Sequence, residues 1–294
     1  MVSIAEGDIL VGQDVGAHEY TITPEFVATY MAGTGDPNPW YTGPSPFDAG
    51  PSGAAVAPAL VLHSEVYRFG GWYLKNIFGN LHAKQDWDLY APMMVGDNVT
   101  THSTVVDRYI KRGRDYVVNE VQVYGEGGRL LSRARTHQSF LLDESNEGFA
   151  VDKSREKKKR TAESGGGDFL EEIAPLEKPV SIDMCKTFSP GVTYHNDVEA
   201  AKKLGFPDIV VQGMMTVCFL SELMTNRFGE GWYSGGRMSV NLVNVLWGED
   251  GGVTCKGVIR EFTPESSARR AHCEIWAEKA DGTKVIAGTA SAVV

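Results

Sequence analysis

The same order of pattern is written twice along this chain, and that repetition limits the fold more than any other feature. Each time an apolar segment closes on an aromatic and glycine string, and segments of alternating polarity follow. Phe69-Gly70-Gly71-Trp72-Tyr73 in the first half is echoed by Phe228-Gly229-Glu230-Gly231-Trp232-Tyr233 in the second. Alternation then predicts strands over 85–90, 98–108, 115–124 and 130–142, with turns at Val95-Gly96-Asp97, Lys111-Arg112-Gly113 and Gly125-Glu126-Gly127-Gly128. Strands are likewise predicted over 236–247, 252–262, 267–278 and 284–294, parted by Gly248-Glu249-Asp250-Gly251 and Ala280-Asp281-Gly282. One buried helix followed by an antiparallel meander, repeated, gives two α+β domains. Each sheet is expected to curve around its own helix, with the two sheets joined side by side.

Helices are placed by spacing and by punctuation. Residues 1–25 read as extended up to Pro24, which opens a helix over 25–31 that stops at Gly33. The stretch 33–53 is too rich in Gly, Pro and Ser for regular structure, and an apolar helix is predicted over 54–67. In the second half Gly213 opens a helix whose Met214, Val217, Cys218, Leu220 and Met224 recur at helical spacing with hardly a charge between them. A glycine at the first turn of a buried helix leaves backbone N–H groups pointing outward, ready for an oxyanion or a polarised carbonyl. His195 precedes that helix start, in Tyr194-His195-Asn196-Asp197. An imidazole beside such amides is the minimum set for acid–base chemistry on a carbonyl compound.

With 294 residues the chain is long enough for two domains that each bury a core, and a net charge of −10 argues against a nucleic-acid partner. The four cysteines have neither CxxC spacing nor a paired histidine cluster, so no metal site is expected. Their scatter fits a reducing cytoplasm better than a disulfide framework. The N-terminal residues lack a basic and apolar leader, and no apolar run approaches the roughly 18 residues of a membrane span. A soluble, unexported, cytoplasmic protein is the expectation. Composition divides it into a domain over 1–145, a charged and Gly-rich linker over 146–179, and a domain over 180–294. The basic run at 153–160 reads either as a solvated part of that linker or as an arm for a ligand's phosphates.

These residues resemble the MaoC-like branch of the hot-dog fold, the acyl-CoA and acyl-carrier hydratases and dehydratases. Gly35-Asp36-Pro37-Asn38-Pro39-Trp40-Tyr41 matches the family string Gly-Asp-x-Asn-Pro-x-His at every fixed position but the last. His195-Asn196-Asp197, Ala201, Gly205-Phe206 and Val211-Gln212-Gly213-Met214 match the portion downstream. The resemblance implies a double hot-dog, two curved antiparallel sheets each wrapped around a central helix, in which one chain reproduces the usual dimer. It also implies hydration of a 2-enoyl thioester, or dehydration of a 3-hydroxyacyl one, on coenzyme A or a carrier protein. No cofactor is implied beyond the coenzyme A of the substrate, and further assembly is, as a homo-oligomer or with a heteromeric partner. The family's Asp and His stand five residues apart and together hold one water. Here the pair is split: Asp36 is followed by Tyr41 in place of the His, and His195 is preceded by Pro190 in place of the Asp.

The candidate catalytic residues are therefore His195, Asp36 and Tyr41, and the candidate substrate contacts are Gly213, Gln212, Ser221 and Asn38. Each has a plainer alternative. His195 is either an acid or base or a turn residue; Gly213 either polarises the thioester or allows close packing; Ser221 either faces the site or is satisfied within its helix. Asp36 either stabilises the Pro37-Asn38-Pro39 turn or acts with Tyr41, whose phenol, with an unperturbed pKa of about 10, donates better than it accepts. Asp197 and Asp183 are either substitutes for the missing carboxylate or surface charges. Trp40, Trp72, Trp232 and Trp247 are read as core or interface aromatics. Three functions stay open: a hydratase built on Gly213 and His195, a degenerate thioester-binding or partner subunit, and an elimination run by Asp36 and Tyr41.

Overall fold

A computed structural model describes residues 9–47, 54–72, 80–141 and 166–294. The first half contributes β1 (Asp14–Thr21), β2 (Leu81–Leu89), β3 (Asn98–Lys111), β4 (Arg114–Tyr124) and β5 (Leu130–Leu141). The second contributes β6 (Glu171–Pro179), β7 (Arg237–Leu242), β8 (Gly252–Glu265), β9 (Ala268–Glu278) and β10 (Lys284–Val293). All ten form one antiparallel sheet in the order β1-β3-β4-β5-β2-β7-β10-β9-β8-β6, a five-strand order followed by its mirror image. The halves meet where β2 pairs with β7, with Trp87 opposite Met238 and Asp86 opposite Ser239. Period-two alternation turns Gln85, Trp87 and Leu89 into the core and leaves Asp86 and Asp88 on the outer face. Joining the two edges this way hides backbone groups that would otherwise template aggregation.

Five α-helices accompany the strands among the described residues. α1 (Pro24–Thr34) is capped by the Thr23 hydroxyl, which accepts from Phe26 N at 3.2 Å, and ends at Gly35 in the left-handed region (φ 62°). α2 (Ile182–Phe188) was not predicted; it is capped by Ser181 and packs on α1, where a β-carbon on Gly33 would lie 3.3 Å from Phe188. α3 (Val198–Lys203) and α5 (Glu230–Tyr233) are short. α4 (Gly213–Phe228) is the central helix of the second half, buried almost all round. Each Leu, Met or Phe it fully buries contributes about 1.5–3 kcal/mol.

The first half departs from expectation. No helix spans 54–67: the chain is extended at Val56, turns through 59–64, and forms one 3-10 turn at Glu65–Arg68. Pro58 has no N–H and disfavours helical geometry at Ala57. The Val56 and Ala57 amides already donate to Trp40 O (3.0 Å) and Met93 O (2.8 Å). Glu65, 2 % exposed, then pins the 3-10 turn to the sheet by accepting from Tyr20 Oη (2.8 Å) and Thr101 Oγ1 (2.7 Å). Among the described residues, only the second half has its expected central helix.

The expected linker also needs correcting, because 171–179 within it is the edge strand β6, paired with β8. The basic run at 153–160 and Tyr73 lie outside the described residues. Trp72, Trp232 and Trp247 are fully buried, and Trp40 packs against the core, as expected of structural aromatics. The four cysteines are free and buried. Among the described residues no helix is long and apolar enough to cross a membrane.

Candidate active site

After α1 the chain folds around the Asp36 carboxylate. Asp36 Oδ1 accepts from Asn38 N (3.1 Å), Asn38 Oδ1 accepts from Trp40 N (3.0 Å), and Tyr41 Oη donates to Asp36 Oδ2 (2.9 Å). Asn38 and Pro39 start a 3-10 turn that brings Tyr41 back over the carboxylate. Asp36 and Tyr41 are each 3 % exposed. Across from them Lys178 Nζ, at the end of β6, donates to Gly35 O (3.0 Å) and to Glu222 Oε2 on α4 (2.7 Å). Burial raises the Asp36 pKa against the pull of Tyr41, Asn38 and Lys178. Burial and the Asp36 charge push Glu222 up to about 7, against Lys178. Burial, with Tyr233 and Asp36 nearby, keeps the Tyr41 phenol protonated. The Tyr233 hydroxyl lies beside Tyr41 and the Ala59 backbone without a well-formed hydrogen bond. Two carboxylates and one ammonium thus tie the halves together in a dry interior, where removing one partner costs far more than the pair contributes.

The second half arranges its histidine differently. Buried Asn196 shapes the loop, its Nδ2 donating to Ser189 O and to Gly191 O (2.7 Å) while its Oδ1 accepts from Thr193 N (3.0 Å). Half-buried His195 donates Nδ1–H to Val210 O at 2.7 Å. That bond fixes the tautomer and leaves Nε2 with its lone pair. Burial pushes the His195 pKa down to about 4, against the Val210 carbonyl, so the ring is a neutral base at pH 7. Val210 and Val211 run beside Trp247 and Leu246, and the chain then enters α4 at Gly213. Gln212 makes no capping bond, and its Oε1 is buried without a hydrogen-bond partner among the described residues. The first amides of α4 therefore carry the helix's positive end uncapped. A β-carbon on Gly213 would sit 2.1 Å from Leu242 Cδ2 and 3.6 Å from His82 Nδ1, so close packing requires glycine there whatever its amide does.

The structure brings His195, Gln212 and Gly213 onto one passage from loop to helix, and gathers Asp36, Asn38 and Tyr41 into a separate network. No hydrogen bond among the described residues joins His195 to Asp36. Ser221 is buried on α4 and accepts from Trp232 Nε1 (3.0 Å), the satisfied-helix alternative. Asp197 caps α3 by accepting from Ala200 N (2.7 Å), and Asp183 is exposed on α2, so neither carboxylate is turned to His195. Sequence reasoning missed Glu222, Lys178 and His82. Glu222 alone left a signal, as the single carboxylate of a mostly buried helix. A cavity of about 760 Å3 on the outer sheet face, lined by Asp86, Arg133, Arg237, Arg260 and His272 among others, shares no residue with either set.

Residues 9–131 match the family model described as FAS1-like, dehydratase domain region. No curated protein matches the chain. Among solved structures it is similar to a MaoC-like dehydratase, with a TM-score of 0.73 and 16 % identity over 97 % of this chain and 98 % of that one. A MaoC-like dehydratase from Phytophthora capsici gives 0.67 and 16 % over 96 % of each chain. A conserved hypothetical protein from Mycobacterium tuberculosis, described as having a double hot-dog fold, gives 0.62 and 12 % over 97 % of each. The structural likeness spans the whole chain and shows a double hot-dog fold, and the sequence match to the dehydratase-region model covers residues 9–131.

Proposed function

We propose that the protein hydrates 2-enoyl thioesters, or dehydrates 3-hydroxyacyl thioesters, at the passage from His195 to Gly213. The observation that carries this reading is the Nδ1 bond from His195 to Val210 O, which leaves Nε2 a neutral acceptor, on a loop that runs through Val210 into a helix start with no side-chain cap. The thioester carbonyl would accept from the α4 amides, which favour the charge that develops on its oxygen. His195 Nε2 would take a proton from water as the water oxygen bonds to C3, and would return that proton to C2. The step moves only water and protons, so it calls for no metal or redox group, and coenzyme A enters as part of the substrate.

A second reading has a specific observation behind it. Among the described residues no carboxylate hydrogen-bonds His195, and Leu242 fills the space beside Gly213, which suits a subunit that binds a thioester without turning it over. Purified protein offered crotonyl-CoA and longer 2-enoyl-CoAs, alongside calorimetric titration with butyryl-CoA, separates the two. Hydration lost in His195→Ala supports the first reading. Binding without turnover moves the protein to the second, and neither binding nor turnover sinks both.

A further inference from the structure

The groove on the outer sheet face lies over the seam and draws on both halves. Cα partners on neighbouring strands share a face, so the outward row that contains Asp86 and Asp88 continues into Ser239 and Arg237 on β7, then Thr289 and Ser291 on β10. Three of those side chains, Ser239, Thr289 and Ser291, are short, and they make the floor. Arg133 and Arg135 on β5, and Arg260 and Glu274 on β8 and β9, are long and stand to either side. The resulting hollow of about 760 Å3 is within the roughly 300–1,000 Å3 of small-molecule sites.

Four guanidiniums and four carboxylates line the groove, and they are unequally engaged. Asp88 accepts twice from Arg133 (3.1 and 2.7 Å), Glu274 accepts from Arg260 (3.2 Å), and Asp86 is held by Lys84 (2.8 Å) and His137 (3.0 Å). Of the four carboxylates only the exposed Glu261 makes no hydrogen bond or ion pair among the described residues. It sits three strands from Arg237, through the Cα partners His272 and Ser291, a span of about 14 Å. The donors show the opposite balance. Arg237 makes no hydrogen bond or ion pair among the described residues and meets Glu265 only at longer range. Arg135 spends Nε alone on Glu120 (2.6 Å), which leaves both Nη groups. The exposed Thr289 adds a hydroxyl.

Donors thus outnumber the acceptors left to meet them, and an anion with several oxygens answers that surplus. A guanidinium presents five N–H groups in a planar fork that matches a phosphoryl group two bonds at a time. The hollow is larger than a bare phosphate. We propose that the groove binds a phosphorylated small molecule of about nucleotide size, its phosphoryl group held by Arg237 of one half and Arg135 of the other. A second copy of the chain fits less well, because two concave faces brought together enclose a void. The groove shares no residue with the passage from His195 to Gly213, so this inference stands without the hydratase reading.

Calorimetric titration of the full chain with ADP and with pyrophosphate tests the site, with adenosine as the probe that lacks phosphate. ADP is expected to saturate with a Kd below about 1 mM, and adenosine not to bind. Arg237→Gln should weaken ADP at least about 10-fold, within the range of hydrogen bonds to charged groups. Thr289→Phe, which fills the groove and removes no charge, should weaken it as well. Arg129→Gln removes an exposed guanidinium outside the groove and should bind ADP as wild type does. Coenzyme A separates two sources of the phosphate. Its binding falls with Arg237→Gln if the groove takes the nucleotide end of that molecule, and stays level while ADP falls if it takes a free nucleotide; either result supports the site. No saturable binding of ADP or pyrophosphate overturns it. So does a loss in Arg129→Gln equal to that in Arg237→Gln, or ADP binding that Arg237→Gln leaves unchanged. A dimer seen by sedimentation without ADP, and split by Arg237→Gln, gives the surface to a second copy and also overturns the proposal.

Discussion

The two halves hold a carboxylate and an imidazole in opposite physical states. Asp36 is sealed at 3 % exposure, accepts from Tyr41 and Asn38, and faces Lys178 and Glu222 from the other half. His195 is half-buried, uses one nitrogen for structure and keeps the other. The contrast follows from charge. A carboxylate in a dry interior must collect donors or a cation, and having done so it becomes part of the frame. An imidazole enters the same interior by shedding its proton and emerges as a base.

Removing Lys178 is the most severe way to break the contrast. Lys178→Met should destabilise the fold by about 3–5 kcal/mol in urea unfolding, because Glu222 and Asp36 lose their cation. Adding Glu222→Gln should recover much of the loss, and a Lys178→Met variant as stable as wild type would remove the buried network from the account. Next come the two half-motifs themselves. His195→Gln should cost about 10²–10⁴ in kcat. Asp36→Asn should leave kcat within about 3-fold while losing about 1–3 kcal/mol of stability. The reverse pattern would move the chemistry to the first half. Gly213→Ala should then cost about 1–3 kcal/mol through the clash with Leu242, and Leu242→Ala in the same chain should relieve it. Tyr41→Phe should cost about 1–2 kcal/mol, by stripping a donor from Asp36, with turnover intact.

The smallest effect, and the sharpest on the charge argument, is the dependence of stability on pH. Burial lowers His195 and His82 to about 4 and His63 to about 3, from 6.5. Between those values and 6.5 the unfolded chain binds more protons, so stability is lost as pH falls. Burial raises Glu222 from 4.5 to about 7, so there the folded state holds the extra proton and stability is lost as pH rises through that window. Midpoints of thermal unfolding should show the two opposed limbs. His63→Phe should flatten the acidic one and Glu222→Gln the other.

The strands were legible because alternation and glycine turns are local signals, and their observed ends fall close to the expected ones for β3, β4, β8 and β9. The first-half helix was misread because an apolar run over 54–62 looks the same whether it forms a buried helix or buried turns; Pro58 and Glu65 were the cues against it. α2 had its cue as well, Ser181 with Asp183 in the first turn. For the proposed site, motif spacing pointed to His195, Gln212 and Gly213, which the chain places on one passage from loop to helix. It did not point to Lys178, which meets Gly35 across 143 positions of sequence. Nor did it point to His82, since alternation gives it to the wrong face and only the bulge before Lys84 turns it inward.

The mirror-image order of strands has a consequence for how such a molecule can change. Two separate copies meeting at β2 and β7 would be bound to identity, because any loss in one would be suffered by both. Fused into one polypeptide, the partners can never be exchanged, and each copy is free to discard what its twin retains. A long buried helix described on one side alone, and a carboxylate and an imidazole kept on opposite sides, are the kinds of difference that such a permanent marriage permits.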